Sequence, residues 1–256
     1  MCVPIRSRCP AVRCFMEGLF EGRTGATVAD RSLLMIADIG GYTRFMKLHR
    51  ISLAHAEVLT GRLLKTLAEH SPLPLVELEG DALFFCAPLG QIDADVMTLS
   101  LTMHQAFHSQ LDEMIALNMC SCDACMQSRN LKVKFVGHVG EVATQTIAGR
   151  QNVVGVDVIA VHRMLKNAVP APEYLLMTES LVEQCGADIR QGVNSVQQEL
   201  EGLGSTSLYF VDLAELALPR PPPPKATLTR RLRQQVGVGF RATPAVLGLR
   251  SPRRTP

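Results

Sequence analysis

Two aspartates carry the most chemistry in this sequence. Asp38 ends an apolar run in "LLMIADIGGYTRFM" (33–46), and Asp81 sits between apolar stretches in "LVELEGDALFF" (75–85). Each carboxylate falls where a strand runs out. Brought together, they repel unless a cation lies between them. A pair of Mg²⁺ or Mn²⁺ ions, which favour oxygen ligands, is the usual solution and suits phosphoryl chemistry. Gly40 and Gly41 carry no side chain, so a phosphate can approach the backbone amides where the next helix begins at Tyr42 and Thr43. A helix N-terminus favours negative charge there. Taken singly, Asp38 also reads as a helix cap and Asp81 as a turn residue.

A second group is "CSCDAC", with Cys120, Cys122 and Cys125 inside six residues. Thiolates at this density suit Zn²⁺, which takes four ligands in a tetrahedron. A fourth would have to come from elsewhere, with His104, His108 and His138 the nearby imidazoles. The other reading is three reduced surface cysteines. His104 and His108 read as boundary residues of a buried helix rather than as ligands, and His162 as an exposed helix residue.

The elements that must position these groups follow from periodicity. Leu33–Ala37 reads as a short strand. A helix begins near Tyr42, breaks near Arg50 and resumes with Ser52 as a possible cap, placing Ala56, Leu59, Leu63 and Leu67 on one face. Residues 75–85 read as a hairpin turning at Gly80-Asp81. Ile92, Val96, Leu99, Met103, Phe107, Leu111 and Met114 keep helical spacing. Residues 131–147 open as a half-buried strand, with Leu131, Val133 and Phe135 alternating with lysines, and are expected to turn near Gly140. A helix after Gly155, a strand at Tyr174–Met177, a helix near Thr178 and two strands flanking Gly202-Leu203-Gly204 complete the order β-α-β-β-α-β-β-α-β-α-β-β. Hairpins between helices predict an α+β fold, with a mainly antiparallel sheet and helices on one face.

The 256 residues suffice for one good-sized domain, and 47% of them are apolar. The expected organisation is a flexible leader (1–30), one domain (31–215) with a Cys-rich insertion (118–128), and a disordered Pro/Arg-rich tail (216–256). Net charge is +2, yet residues 219–256 hold nine Lys or Arg and no acid, which leaves about −7 on the first 218. The basic tail lacks the aromatic interleaving of a specific nucleic-acid site. The eight cysteines are not spread as in a secreted disulfide framework, and no run reaches the roughly 20 apolar residues of a membrane span. The expectation is a cytoplasmic protein.

"DIGGYT" (38–43) followed by "EGDA" (79–82) resembles the class III nucleotidyl cyclases, the adenylate and guanylate cyclase catalytic domain. "GHVGEV" (137–142) and "GVDVIAVHRM" (155–164) extend the resemblance, which spans roughly Ser32 to Asp212, looks closest to a poorly characterised bacterial branch and implies a sheet of the ferredoxin-like, cyclase-palm type. It implies that Asp38 and Asp81, with the Ile39 carbonyl, hold two Mg or Mn ions on a nucleoside triphosphate, ATP or GTP. It implies that Glu77, four before Asp81, reads the base, where glutamate goes with guanine. It also implies that Arg163 offsets charge in the transition state from the second subunit of a homodimer, giving a cyclic nucleotide and pyrophosphate. His138 aligns with a hairpin histidine of the family, to which no role is given.

The match departs from the family at two positions. Ile159 stands where the family has asparagine, and Glu201 where it has a phosphate-binding lysine. Electrostatic stabilisers of this kind are worth roughly 10²–10³ each in rate. The alternative is therefore a pseudo-cyclase that binds nucleotide or regulates a partner without turnover.

Overall fold

The computed structural model describes residues 30–48, 53–92, 95–118, 123–148, 150–185, 192–217, 219–223 and 225–232. Ser52, Cys120 and Cys122 lie outside the described residues, as do 1–29 and 233–256.

The chain forms β1 (Asp30–Gly40), α1 (Tyr42–Leu48), α2 (Leu53–Glu69), β2 (Leu75–Glu79), β3 (Ala82–Pro88), α3 (Val96–Leu117), α4 (Asp123–Gln127), β4 (Lys132–Ile147), β5 (Arg150–Val154), α5 (Val156–Arg163), β6 (Tyr174–Thr178), α6 (Glu179–Val182), β7 (Asn194–Leu200) and β8 (Gly204–Asp212). One sheet runs β2-β3-β1-β4-β6-β8-β7, with β5 paired to the far end of β4. Only β4–β6 is parallel among these pairs; all the others are antiparallel. The fold is α+β, as the hairpins between helices require.

Strand β1 is central, and its residues 33–37 are almost wholly buried. Its side chains divide the interior in two. Leu33, Met35, Ala37 and Ile39 face a first core with α2, α3 and α6. Leu34 and Ile36 face a second core with Val161 and Met164, so α5 covers the opposite face of the sheet. Helix α3 buries Val96, Leu99, Met103, Phe107, Leu111 and Met114 as one stripe. The helix starts at Val96 rather than at Ile92, because Asp95 caps it: its Oδ2 accepts the Thr98 backbone N–H at 2.9 Å.

The turn expected near Gly140 does not form. Strand β4 continues to Ile147 and pairs there with β5. Gly140 serves a different need, since a Cβ on it would overlap the Asp157 carboxylate. Asp157, in the first turn of α5, accepts the Glu141 backbone N–H at 2.6 Å and meets His138 Nε2 at 2.9 Å. His138 Nδ1 lies 2.8 Å from Thr178 Oγ1 on β6. The motif histidine therefore pins α5 to the sheet. Gly140→Ala should lower stability by roughly 1–3 kcal/mol, the usual range for overpacking. Urea unfolding of the two proteins checks this.

Candidate functional site

Register brings the two aspartates to one end of the sheet. Asp38 lies directly opposite Ala82 on β3 and opposite Lys134 on β4. Asp81 is the residue before Ala82, in a two-residue hairpin loop whose first position, Gly80, has φ +63°. That conformation is costly for any residue with a Cβ, which is why glycine precedes the aspartate. The Ile39 backbone N–H donates to the Asp81 carbonyl at 3.2 Å, so the strand end and the hairpin tip are tied together.

The side chains feel each other. Burial raises the Asp81 pKa, and the charge of Asp38 raises it further, against smaller opposing effects from its own backbone hydrogen bond and from Lys134. Asp38 does not stand unneutralised: Lys134 Nζ lies 3.0 Å from its Oδ2, with both side chains mostly buried. Burial alone would lower the Lys134 pKa, but Asp38, Tyr174 and Asp81 more than offset that and raise it. A cation thus already occupies the neighbourhood of the two carboxylates, and it belongs to the chain. Tyr42 stands close by; burial, then Asp81 and Glu57, keep its phenol protonated beyond the ordinary range.

Around this centre, Gly41 takes φ +85° and its carbonyl accepts the Phe45 N–H at 2.9 Å, opening α1. A cavity of about 350 Å³ opens beside it, lined by Gly41, Arg44, Phe45, Gln127, Asn130 and Leu131. Thr43 is exposed at the start of α1. Glu77 is exposed on the edge strand β2 opposite Phe84, a residue of the second core. The pairing puts Glu77 on the same sheet face as Asp38. Arg163 is elsewhere: its guanidinium packs against Gly202 in the β7–β8 turn. Among the described residues no ion pair joins it to Asp38 or Asp81. Ile159 is about half exposed on α5, and Glu201 is exposed in that same turn.

Of the cysteine cluster only Cys125 is described; it is half-buried and packs against the first core. His162 meets Glu79 Oε1 at 3.1 Å and the Phe84 ring edge-on, so it is a packed contact of α5 with the β2–β3 hairpin. His104 and His108 are more than boundary residues, because both are buried and aimed at Glu173. Sequence reading missed Glu173 and Lys134. The lysines of β4 looked like the solvent side of a half-buried strand, and only the position of α5 shows that this face is covered.

Residues 60–174 match a family described as "Protein of unknown function (DUF2652)". The uncharacterized protein Rv2561/Rv2562 of Mycobacterium tuberculosis (strain ATCC 25618 / H37Rv) is 38% identical over 178 residues, 70% of this chain and 84% of that protein. The chain belongs to that protein's family. Among solved structures, a bacterial light-regulated adenylyl cyclase superposes with a TM-score of 0.57 at 12% identity, over 90% of this chain and 63% of the other. Another structure of that description gives 0.55 at 13%, over 84% and 59%. The guanylate cyclase domain of RhGC from Catenaria anguillulae, in complex with GTP, gives 0.51 at 16%, over 73% and 98%. The chain therefore spans less than two thirds of the light-regulated enzymes. At these identities the likeness is one of fold, and the fold is that of the nucleotidyl cyclase domain.

Two stability measurements probe the carboxylate pair. A carboxyl whose folded pKa is raised destabilises the fold once it ionises, so the cost is absent at low pH and appears as pH rises past the aspartate range. Asp81→Asn should therefore raise Tm at neutral pH, with the gain vanishing below about pH 4. Lys134→Met should act oppositely, lowering Tm without divalent cation and enlarging the rise in Tm that Mg²⁺ gives. Thermal scans across pH and Mg²⁺ concentration read both.

Proposed function

We propose that this chain is a nucleotidyl-cyclase-like domain that binds a nucleoside triphosphate at Asp38 and Asp81 and converts it to a cyclic nucleotide and pyrophosphate. The observation that carries the reading is the convergence of the two carboxylates at one end of a cyclase-like sheet, beside a lysine already paired with Asp38. Their donors are hard oxygens, with the Ile39 carbonyl as a third, and this set fits Mg²⁺ or Mn²⁺. Such ions, when bound, lower the pKa of the 3′-hydroxyl and screen the triphosphate.

The chain's own residues do the rest. Asp38 and Asp81 fix the position of the cations. Gly40 and Gly41 let the phosphates approach the backbone, with Arg44 at the neighbouring cavity adding positive charge. Tyr42 and Thr43 bound the same opening, Tyr42 as a neutral donor near Asp81. Glu77, on the face shared with Asp38, selects guanine. Lys134 must release Asp38 when divalent cations enter, so it opposes their binding in the absence of nucleotide. Arg163 reaches the reacting phosphate from a second copy of the chain, which fits its placement at the Gly202 turn. Exposed Val156 and Ile159 on α5 and Leu203 in that turn supply apolar surface for such a homodimer.

Turnover is slow in this reading, because Ile159 and Glu201 offer no hydrogen bond or positive charge to the substrate. The same two residues, together with the Asp38–Lys134 pair, favour a second reading: a pseudo-cyclase that binds nucleotide as a signal.

A cyclic-nucleotide assay with Mn²⁺ and GTP or ATP decides between them. The first reading expects product above an Asp38→Ala control, a preference for GTP that Glu77→Lys moves toward ATP, and partial recovery when Asp38→Ala and Arg163→Ala chains are mixed. Nucleotide binding without product leaves the second reading. Absence of both binding and product removes both.

A further inference from the structure

Away from the carboxylate pair, three metal-ligating side chains converge in the interior. His104 and His108 are one helical turn apart on α3, so both rings stand on the same face. Opposite them is Glu173, the residue before β6. All three are buried, and one potential ligand atom from each lies within 4.8 Å of the others. His108 Nε2 is 2.6 Å from Glu173 Oε1, and His104 Nε2 is 3.6 Å from that same oxygen. The two rings meet edge to face with centroids 4.5 Å apart, and both Nε2 atoms lie near the same Glu173 oxygen.

As a hydrogen-bonded network this cluster is incomplete. Glu173 Oε1 accepts the Val133 backbone N–H at 3.1 Å, and Oε2 faces Lys132 Nζ at 3.5 Å. His104 Nε2 has no hydrogen-bond partner although it is fully buried. An unsatisfied buried nitrogen is costly, and natural cores rarely keep one without a reason. A metal ion at the shared point would take the lone pairs of both imidazoles and of Oε1. The Val133 amide and Lys132 would then serve as the outer contacts that hold a ligating carboxylate in place.

We propose that His104, His108 and Glu173 form a buried Zn²⁺ site, with a water as the fourth ligand, separate from the Asp38/Asp81 centre. Two imidazoles and one carboxylate suit zinc and not Mg²⁺ or Ca²⁺, which prefer all-oxygen sets. Zinc bonds of about 2.0–2.1 Å put neighbouring tetrahedral ligands roughly 3.3 Å apart. The 3.6 Å separation is close to this, the 2.6 Å pair opens by under about 1 Å, and the two imidazole nitrogens, within 4.8 Å of each other, close by no more than about 1.5 Å. The site fastens α3 to the strands at the sheet end that carries Lys134: Val133 and Lys132 belong to β4, and the Glu173 carbonyl accepts the Leu213 N–H at 3.0 Å just after β8. It needs none of the thiols of the cysteine cluster.

The test uses the full chain with Cys120, Cys122 and Cys125 changed to serine, stripped of metal and held in excess Mg²⁺, which competes with Zn²⁺ for the oxygens of the carboxylate pair. Zn²⁺ binding is followed by calorimetry, and Co²⁺ binding by its visible absorption. The expected result is one equivalent bound per chain, an absorption typical of nitrogen and oxygen ligands, and a rise in Tm. His104→Leu should weaken binding by roughly 100-fold or more, a loss at least as large as that from outer-contact mutations. Because His104 Nε2 has no hydrogen-bond partner in the metal-free fold, that variant should lose little of the metal-free Tm, a result that loss of a folded core would not give. If leucine unfolds the chain, His104→Gln keeps a polar group of similar size and is read the same way. No binding by the parent chain, or equal binding by parent and His104 variant, overturns the proposal.

Discussion

A buried strand that ends in a carboxylate, next to a hairpin tip carrying another, must find positive charge. In this molecule the demand is met by Lys134, in register across the sheet from Asp38 at 3.0 Å. Much of the surrounding structure follows from that requirement. Strand β1 is buried on both faces, so its last polar side chain cannot turn to open water at no cost. Strand β4 must therefore present a lysine at that one position, on the face that α5 otherwise closes. Burial first, and the charge of Asp38 second, hold the Asp81 carboxyl above the ordinary carboxylate range, and Lys134 offsets only part of this. A site that tolerates uncompensated charge has stability to gain from a ligand, and perturbed carboxylates of this kind gather at functional sites.

The same few residues of β4 serve both faces of the sheet. Lys134 points to the second core and Asp38. Val133 and Lys132 meet Glu173, which in turn faces His104 and His108 on α3. The Glu173 cluster and the counter-ion of Asp38 are thus held by neighbouring residues of one strand. The β4–α5 junction is fixed separately, by the His138–Asp157 contact and the close approach at Gly140.

What could be read from the sequence divides by distance along the chain. The order of strands and helices was legible, because apolar periodicity and the Gly80-Asp81 turn are local signals. So were Asp38 and Asp81, the first marked by the glycine pair that starts two residues later and the second by the glycine before it. Lys134 and Glu173 were not. Lys134 sits in an alternation with Val133 and Phe135 that reads as one buried and one wet face; the wet face is in fact covered by a helix that begins 22 residues later. Glu173 lies 65 residues from His108 in "PAPEYLL", with no pattern to tie them. Gly140 looked like a turn because glycine often marks one, but here it makes room for a neighbouring carboxylate. Arg163 was legible as a residue of a motif, while its packing against Gly202 depended on how the β7–β8 turn meets α5.

The central claim is that Asp38 and Asp81 together hold divalent cations. An EPR titration of the full chain with Mn²⁺, in the presence of a non-hydrolysable GTP analogue, tests it most directly. The account predicts a bound pair of ions whose spectra are broadened by their mutual proximity, with the broadening lost in Asp38→Ala and in Asp81→Asn. Mn²⁺ binding no greater than the nucleotide alone provides, unchanged by either substitution, would contradict it.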